Sequence, residues 1–201
     1  FVYSVQDLYA RVKLVRNGAE VKRLSFRVQD SDLAFEAVIK NWATKPLVTG
    51  KMESNQLDID LLIPKGARAP IRDFLETVAA TSHVTMSASV VRGHYKQLKF
   101  GGLAARVNIQ EGVLDIDRVS GQSSDGELAG RIVVQLPRGA PAEAEISMRA
   151  TGLPFEEVQK LVGSHRGRIS GEVRVTGTIR GHGRNPHGVF PTLSGRAEIV
   201  L

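Results

Sequence analysis

Apolar and polar residues alternate with a period of two along most of the chain. From Ile169 the odd positions hold Ile169, Gly171, Val173, Val175, Gly177 and Ile179, while the even ones hold Ser170, Glu172, Arg174, Thr176, Thr178 and Arg180. Successive side chains of a strand point to opposite sides of its sheet, so this pattern predicts a strand with one apolar and one polar face. Val84, Met86, Ala88 and Val90 alternate in the same way with Thr85, Ser87 and Ser89. So do Ala105, Val107 and Ile109 with Arg106, Asn108 and Gln110, and Ala144, Ile146, Met148 and Ala150 with their polar neighbours. Ala10, Val12 and Leu14 share one face of a further strand, as do Ile132, Val134 and Leu136. Roughly ten strands are expected, joined by turns such as Asn17-Gly18, Glu111-Gly112 and Asp125-Gly126. The fold class expected is all-β dominated: an antiparallel meander forming a long curved sheet or groove, with one wet face.

Two segments break the alternation with helical spacing. In "APIRDFLETVAA" Pro70 stands at the first helical position and Ile71, Phe74, Leu75 and Val78 form a stripe, which predicts a short helix over about 70–80. "PFEEVQKLVG" has Pro154 first, Glu156 and Glu157 in the first turn and Gly163 as the stop, which predicts another over about 154–162. Each is expected to cap an end or edge of the sheet.

Similar strands recur at a fixed offset. "LYARVKL" begins at Leu8 and "LAARVNI" at Leu103, 95 residues on. Leu33-Ala34 meets Leu128-Ala129 and Val38 meets Val133 at that offset, and Leu57 meets Leu153 at 96. "LSGRAEI" at Leu193 is a third start. A repeated strand group predicts a sheet built by adding units, each touching chiefly its neighbours. The expected division is residues 1–81, a first β repeat ending in the short helix, and residues 82–201, a second β region. Both belong to one continuous sheet, and the whole is read as a fragment of a longer protein.

Composition narrows the function less than the fold. The chain has 201 residues, 42% hydrophobic and 24% charged, with a net charge of +6, so it can bury a core. With no cysteine it has neither disulfides nor thiolate chemistry. The positive charge allows an anionic surface as a partner. Single-strand nucleic-acid readers interleave aromatic residues with basic ones for base stacking; aromatics are 5% here and that interleaving is missing, so nucleic acid is not expected. Arg11, Lys13, Lys22, Arg23, Arg106, Arg174 and Arg180 on wet faces suit anionic lipid head groups better.

Sharper chemistry is weak. Gly181-His182-Gly183 follows a strand but leads into Asn185-Pro186, which is turn chemistry and no phosphate loop. Asp58 and Asp60, and again Asp115 and Asp117, are carboxylates at spacing two, the plain consequence of alternation in "LDID". His182 and His187 flank a loop without the third ligand a metal site needs, and His83, His94 and His165 are scattered. No Gly-x-Ser-x-Gly elbow is present. The chain is expected not to be an enzyme and to need neither metal nor cofactor.

The order of segments in the second half carries a resemblance. An alternating strand (Val84–Val91) precedes "LKFGGLAARVNIQEGVLDIDRVSG" and "LAGRIVVQL". Then come "AEISMRATGLPFEEVQKLV", "GRISGEVRVTGTIRGHG", a Pro-containing loop and "LSGRAEI". This resembles the C-terminal region of the AsmA-like envelope proteins of Gram-negative bacteria. Gly163, Gly171, Gly177, Gly181, Gly183 and Gly195 hold places comparable to that family's glycines. The likeness covers roughly Ser82 to Leu201, and "SNQLDIDLLIP" (Ser54 to Pro64) looks like the family's lead into a helix.

The resemblance implies a periplasmic β-rich body anchored in the inner membrane through a segment outside this sequence. It implies phospholipid binding, with a β-sheet groove sheltering acyl chains in lipid transport to the outer membrane, and a role in outer membrane biogenesis. On that reading the acyl chains meet Val84, Met86, Ala88, Val90, Val107, Ile109, Ile132, Val134, Ile146, Met148, Val173, Val175 and Ile179. Ala88, Ala105, Ala144, Gly171 and Gly177 on that face leave room for a chain, or let the face pack on itself as a sandwich core. The alternative is a non-catalytic structural or interaction module that pairs through its sheet edges with an envelope protein partner.

Overall fold

Alternation of this kind has a single outlet, a pleated sheet, because only there do residues two apart share a face. The computed structural model describes residues 5–59, 70–95, 98–123, 126–137, 140–154, 171–183, 192 and 194–200. It pairs the alternating segments into one eleven-stranded sheet whose strand order is the order of the chain. The strands are β1 (Val5–Val15), β2 (Gly18–Val28), β3 (Ser31–Lys40), β4 (Leu47–Asp58), β5 (His83–Tyr95), β6 (Leu98–Gln110), β7 (Val113–Ser123), β8 (Gly126–Gln135), β9 (Ala142–Pro154), β10 (Glu172–Gly183) and β11 (Ser194–Val200). One helix among the described residues, α1 (Pro70–Thr81), lies between β4 and β5.

The meander is not antiparallel throughout. Leu47 pairs with His83 and Asp58 with His94 in a parallel ladder, so β4 and β5 run the same way. Antiparallel neighbours need only a tight turn, but parallel ones need a crossover, and the stretch containing α1 provides it. Pro154, expected to open a helix, closes β9; the rest of that expected helix lies outside the described residues. The strand expected from Ile169 begins at Glu172, after Gly171 at φ 148, with Ile169 and Ser170 also outside them.

The hairpins follow turn chemistry. Glu111 and Gly112 both have positive φ, 51 and 78, as a two-residue turn between twisted strands requires. The first hairpin turns on Arg16 and Asn17, so Gly18 is already the first residue of β2.

Helix α1 ends against this framework. The Ser82 amide donates to the Val78 carbonyl at 2.8 Å, and the His83 amide donates to Pro46 at 2.8 Å, which starts β5 beside β4. The Ala79 carbonyl accepts the Gly112 amide at 3.1 Å, and the Gly112 carbonyl accepts the Leu136 amide at 2.7 Å. The helix C-terminus is thereby tied to the β6–β7 turn.

Four interruptions of the ladder matter below. The β1/β2 register slips between Gln6 and Tyr9, and the β6/β7 register between Gly101 and Ala104. The β2/β3 register slips between Val21 and Leu24, and the β7/β8 register between Ile116 and Val119.

Among the described residues, buried side chains gather in three clusters. Ala79, Val84, Ile109, Leu136 and Ala142 close the α1 end of the sheet. Leu33, Leu57, Val90 and Phe100 form the second cluster, and Ala150, Leu153 and Val173 the third. The chain exposes 13317 Å². A compact monomer of 21.8 kDa exposes only about 9,300 Å².

Candidate functional site

The register assembles one apolar face across the whole sheet. Val12 of β1 lies opposite Val21, Val21 opposite Ala37, and Ala37 opposite Gly50. The row continues through Met86, Val107, Ile116 and Ile132. It ends with Ile146, Ile179 and Gly195 on β9, β10 and β11. Each of the eleven strands contributes a residue, and every one is apolar. A second row beside it joins Val48, Val84, Ile109, Leu114, Val134 and Ala144.

All residues expected from the sequence to share this face do so. Val84 opposes Ile109, Met86 opposes Val107, and Ala88 opposes Ala105. Ile132 opposes Ile146, Ile146 opposes Ile179, and Met148 opposes Gly177. Val90 opposes Leu103, and Val175 opposes Ala150. Leu114 and Ile116 belong to the same face but were absent from the expected lining. Their signal lay in "LDID": the Asp residues mark the polar side, so the Leu and Ile between them mark the apolar one.

Exposure divides this face into closed ends and a partly open middle. Val84, Val90, Ile109 and Val173 are buried. Met86, Ala88, Val107, Ile132, Val134, Ile146, Val175 and Ile179 are half-buried, and Met148 is 46% exposed. Among the described residues no second sheet lies over them.

One residue over, the parallel row is polar apart from Val38 and Val133. Thr85 opposes Asn108, Asn108 opposes Asp115, and Glu145 opposes Arg180. Arg180 donates to Glu145 at 2.8 Å, and Ser147 hydrogen bonds with Thr178 at 3.2 Å. Lys51 lies 3.4 Å from Glu36 and 3.2 Å from Glu53.

The candidate acids and histidines are engaged separately. Asp115 takes two hydrogen bonds from Arg131, at 2.9 and 2.6 Å, which hold its carboxyl below the usual range. Asp117 opposes Arg106, and one of its oxygens is buried without a hydrogen-bond partner among the described residues. Asp58 lies 3.3 Å from His94 Nε2; Asp60, His165 and His187 lie outside the described residues. The His182 amide donates to Thr192 Oγ1, whose hydroxyl donates back to the His182 carbonyl. Among the described residues no group of three His, Asp or Glu side chains is placed to hold a metal.

Two clefts open at the end of the sheet opposite α1. One, of 490 Å³, is lined by residues that include Asp7, Ser25, Arg27, Asp32, Ala34 and Asn55. The other, of 640 Å³, is lined by residues that include Gly102, Ser120, Gln122, Glu127, Ala129 and Thr151. At the first, the Asp32 carboxylate accepts the amides of Gln56 (2.7 Å) and Asn55 (3.0 Å) and the Asn55 side chain (2.9 Å). Burial opposes ionisation of Asp32, but these donors outweigh it and its pKa lies below the usual value.

Among the described residues no helix is long and apolar enough to cross a membrane. No known protein family, curated protein or solved structure matches the chain.

Proposed function

We propose that this sheet shelters lipid acyl chains on its apolar face, as a periplasmic part of an AsmA-like envelope protein that carries phospholipid between the inner and outer membranes. The observation that carries this reading is the apolar row from Val12 to Gly195, crossing every strand without a polar member. Its middle residues are half-buried, which leaves apolar surface for a ligand with no polar groups along its length. Each methylene removed from water on such a face contributes about 0.8 kcal/mol. The small members Gly50, Ala88, Ala105, Gly177 and Gly195 lower the floor where a chain would lie.

The sheet is read as assembled from like units, β1–β4 and β6–β9. In its support, the slips at Gln6/Tyr9 and Val21/Leu24 recur at Gly101/Ala104 and Ile116/Val119, each 95 residues on. Asp7 and Gly102, at that offset, both have positive φ, 52 and 57. The two clefts match likewise, Ser25 with Ser120 and Asp32 with Glu127. Addition of units lengthens an apolar face without changing its cross-section, as a lipid path requires.

The test is extraction of the purified chain with organic solvent and identification of bound lipid by mass spectrometry. Met148→Asp is the control, because that side chain is exposed enough to carry a charge in a folded sheet. Stoichiometric phospholipid in the parent and none in the folded variant is the expected result. A lipid-free parent chain of undiminished stability would sink the reading.

A further inference from the structure

We infer that the outer edge of β1 is a docking site for an extended polypeptide segment, which adds an antiparallel strand of the β5 pattern in a defined register. This deepens the edge-pairing alternative read from the sequence and does not depend on the lipid reading.

Two strands of the sheet share one local pattern, Leu8-x-x-Arg11 on β1 and Leu103-x-x-Arg106 on β6, and in the sequence Leu193-x-x-Arg196 runs into β11. For β1 and β6 the likeness extends to hydrogen bonding, since both slip by one residue against the following strand at matching positions. On the opposite edge, β6 and β11 each carry an antiparallel strand, β5 and β10. β1 stands at the end of the sheet and has no strand there among the described residues.

The side chains register the difference. Ile109 on β6 is 9% exposed beside Val84, whereas Leu14, at the matching position of β1, is 70% exposed. Leu8 is 66% and Val12 51% exposed, where Leu103 and Val107 are half-buried. An edge of eleven residues that pairs with no strand among the described residues, with a row of exposed apolar side chains, is a template for strand addition.

The two filled edges specify the partner's chemistry. Opposite Arg106 stands Ser87, and opposite Arg196 stands Thr178, so a small hydroxyl faces the Arg in both. Opposite Ala105 stands Ala88, and opposite Ile109 stands Val84. A strand on β1 therefore places small hydroxyl residues against Arg11 and Lys13, and aliphatic ones against Ala10, Val12 and Leu14. In that register the positions of Val84, Met86, Ala88 and Val90 fall opposite Leu14, Val12, Ala10 and Leu8.

The probe is a labelled peptide of the β5 sequence, His83 to Tyr95, titrated into the full chain and followed by fluorescence anisotropy. Saturable binding is expected, abolished when alternate peptide amides are N-methylated so that the ladder cannot form. The variant Leu8→Lys with Leu14→Lys, both at exposed positions, removes two cross-strand apolar pairs and is expected to weaken binding about tenfold. Absence of binding would overturn the proposal. Binding unchanged in the variant would overturn it too, because the peptide would then be entering elsewhere in the sheet. So would a dimer of the parent chain, seen by sedimentation, that the same variant dissociates, since a second copy would then own this edge. Lipid content reads the apolar face and peptide binding reads the edge, so either can fail alone.

Discussion

Arg131 on β8 holds Asp115 on β7 through two hydrogen bonds, Nε to one carboxylate oxygen at 2.9 Å and a terminal nitrogen to the other at 2.6 Å. The guanidinium and carboxylate lie on the polar side, above the row that contains Ile116 and Ile132. Sixteen residues separate them in sequence, and the β7–β8 hairpin folds them together. The paired-carboxylate motif thus resolves into an ion pair across a hairpin.

Its contribution to stability has a sign in pH. The folded pKa of Asp115 lies below its unfolded value, so the stabilisation is present above the unfolded pKa and is lost as pH falls through the folded one. Asp115→Asn is expected to cost less than about 1 kcal/mol near neutrality, because Arg131 is exposed and water screens the pair. Urea unfolding of parent and variant should differ at pH 7, and the difference should shrink as pH falls below about 4. A difference that grows on acidification would refute the assignment.

Asp32→Ala is expected to cost more, about 1–3 kcal/mol, because the amides of Asn55 and Gln56 lose an acceptor beyond the last β3/β4 pair at Ala34 and Glu53. Hydrogen exchange should speed up at those two amides first. Uniform loss of protection across β3 and β4 would show that Asp32 does not act locally.

Substitution at Gly50 and at Gly102 should cost unequally and for different reasons. A Cβ on Gly50 would lie 2.3 Å from the Glu36 carbonyl oxygen, within the apolar row, so Gly50→Ala is expected to cost about 1–3 kcal/mol. At Gly102 nothing lies within 4 Å of the added atom, and the cost is that of φ 57 alone. Asp7 adopts φ 52 at the matching bulge, so Gly102→Asp is expected to cost only about 1 kcal/mol. Chemical denaturation of both variants checks the order.

Truncations on the apolar face should separate its closed end from its open middle. Val173 is 1% exposed, packed with Ala150 and Leu153, and Val173→Ala is expected to cost about 2 kcal/mol. Met148→Ala, at a side chain 46% exposed, should cost under about 1 kcal/mol. Equal losses at the two sites in urea unfolding would mean that the middle of the face is covered after all.

By itself the sequence determined which residues share a face, because in a strand that property is set by parity alone. Val84 with Met86, and Ile146 with Met148, share a face whatever the strands pair with. It also marked α1, whose Pro70 and helical spacing are local signals, and the Glu111-Gly112 turn, whose positive φ values suit Gly. Tertiary structure alone decided the partners. The parallel join of β4 and β5 depends on the crossover path, which leaves no trace in either strand's alternation. The one-residue slips at Tyr9 and Ala104 are likewise properties of two strands at once. Exposure was decided last of all: Leu14 and Ile109 occupy like positions in like segments, "ARVKL" and "ARVNI", yet one is open to solvent and the other buried. The difference is the strand that lies beside β6, with none beside β1 among the described residues, and burial is a property of neighbours.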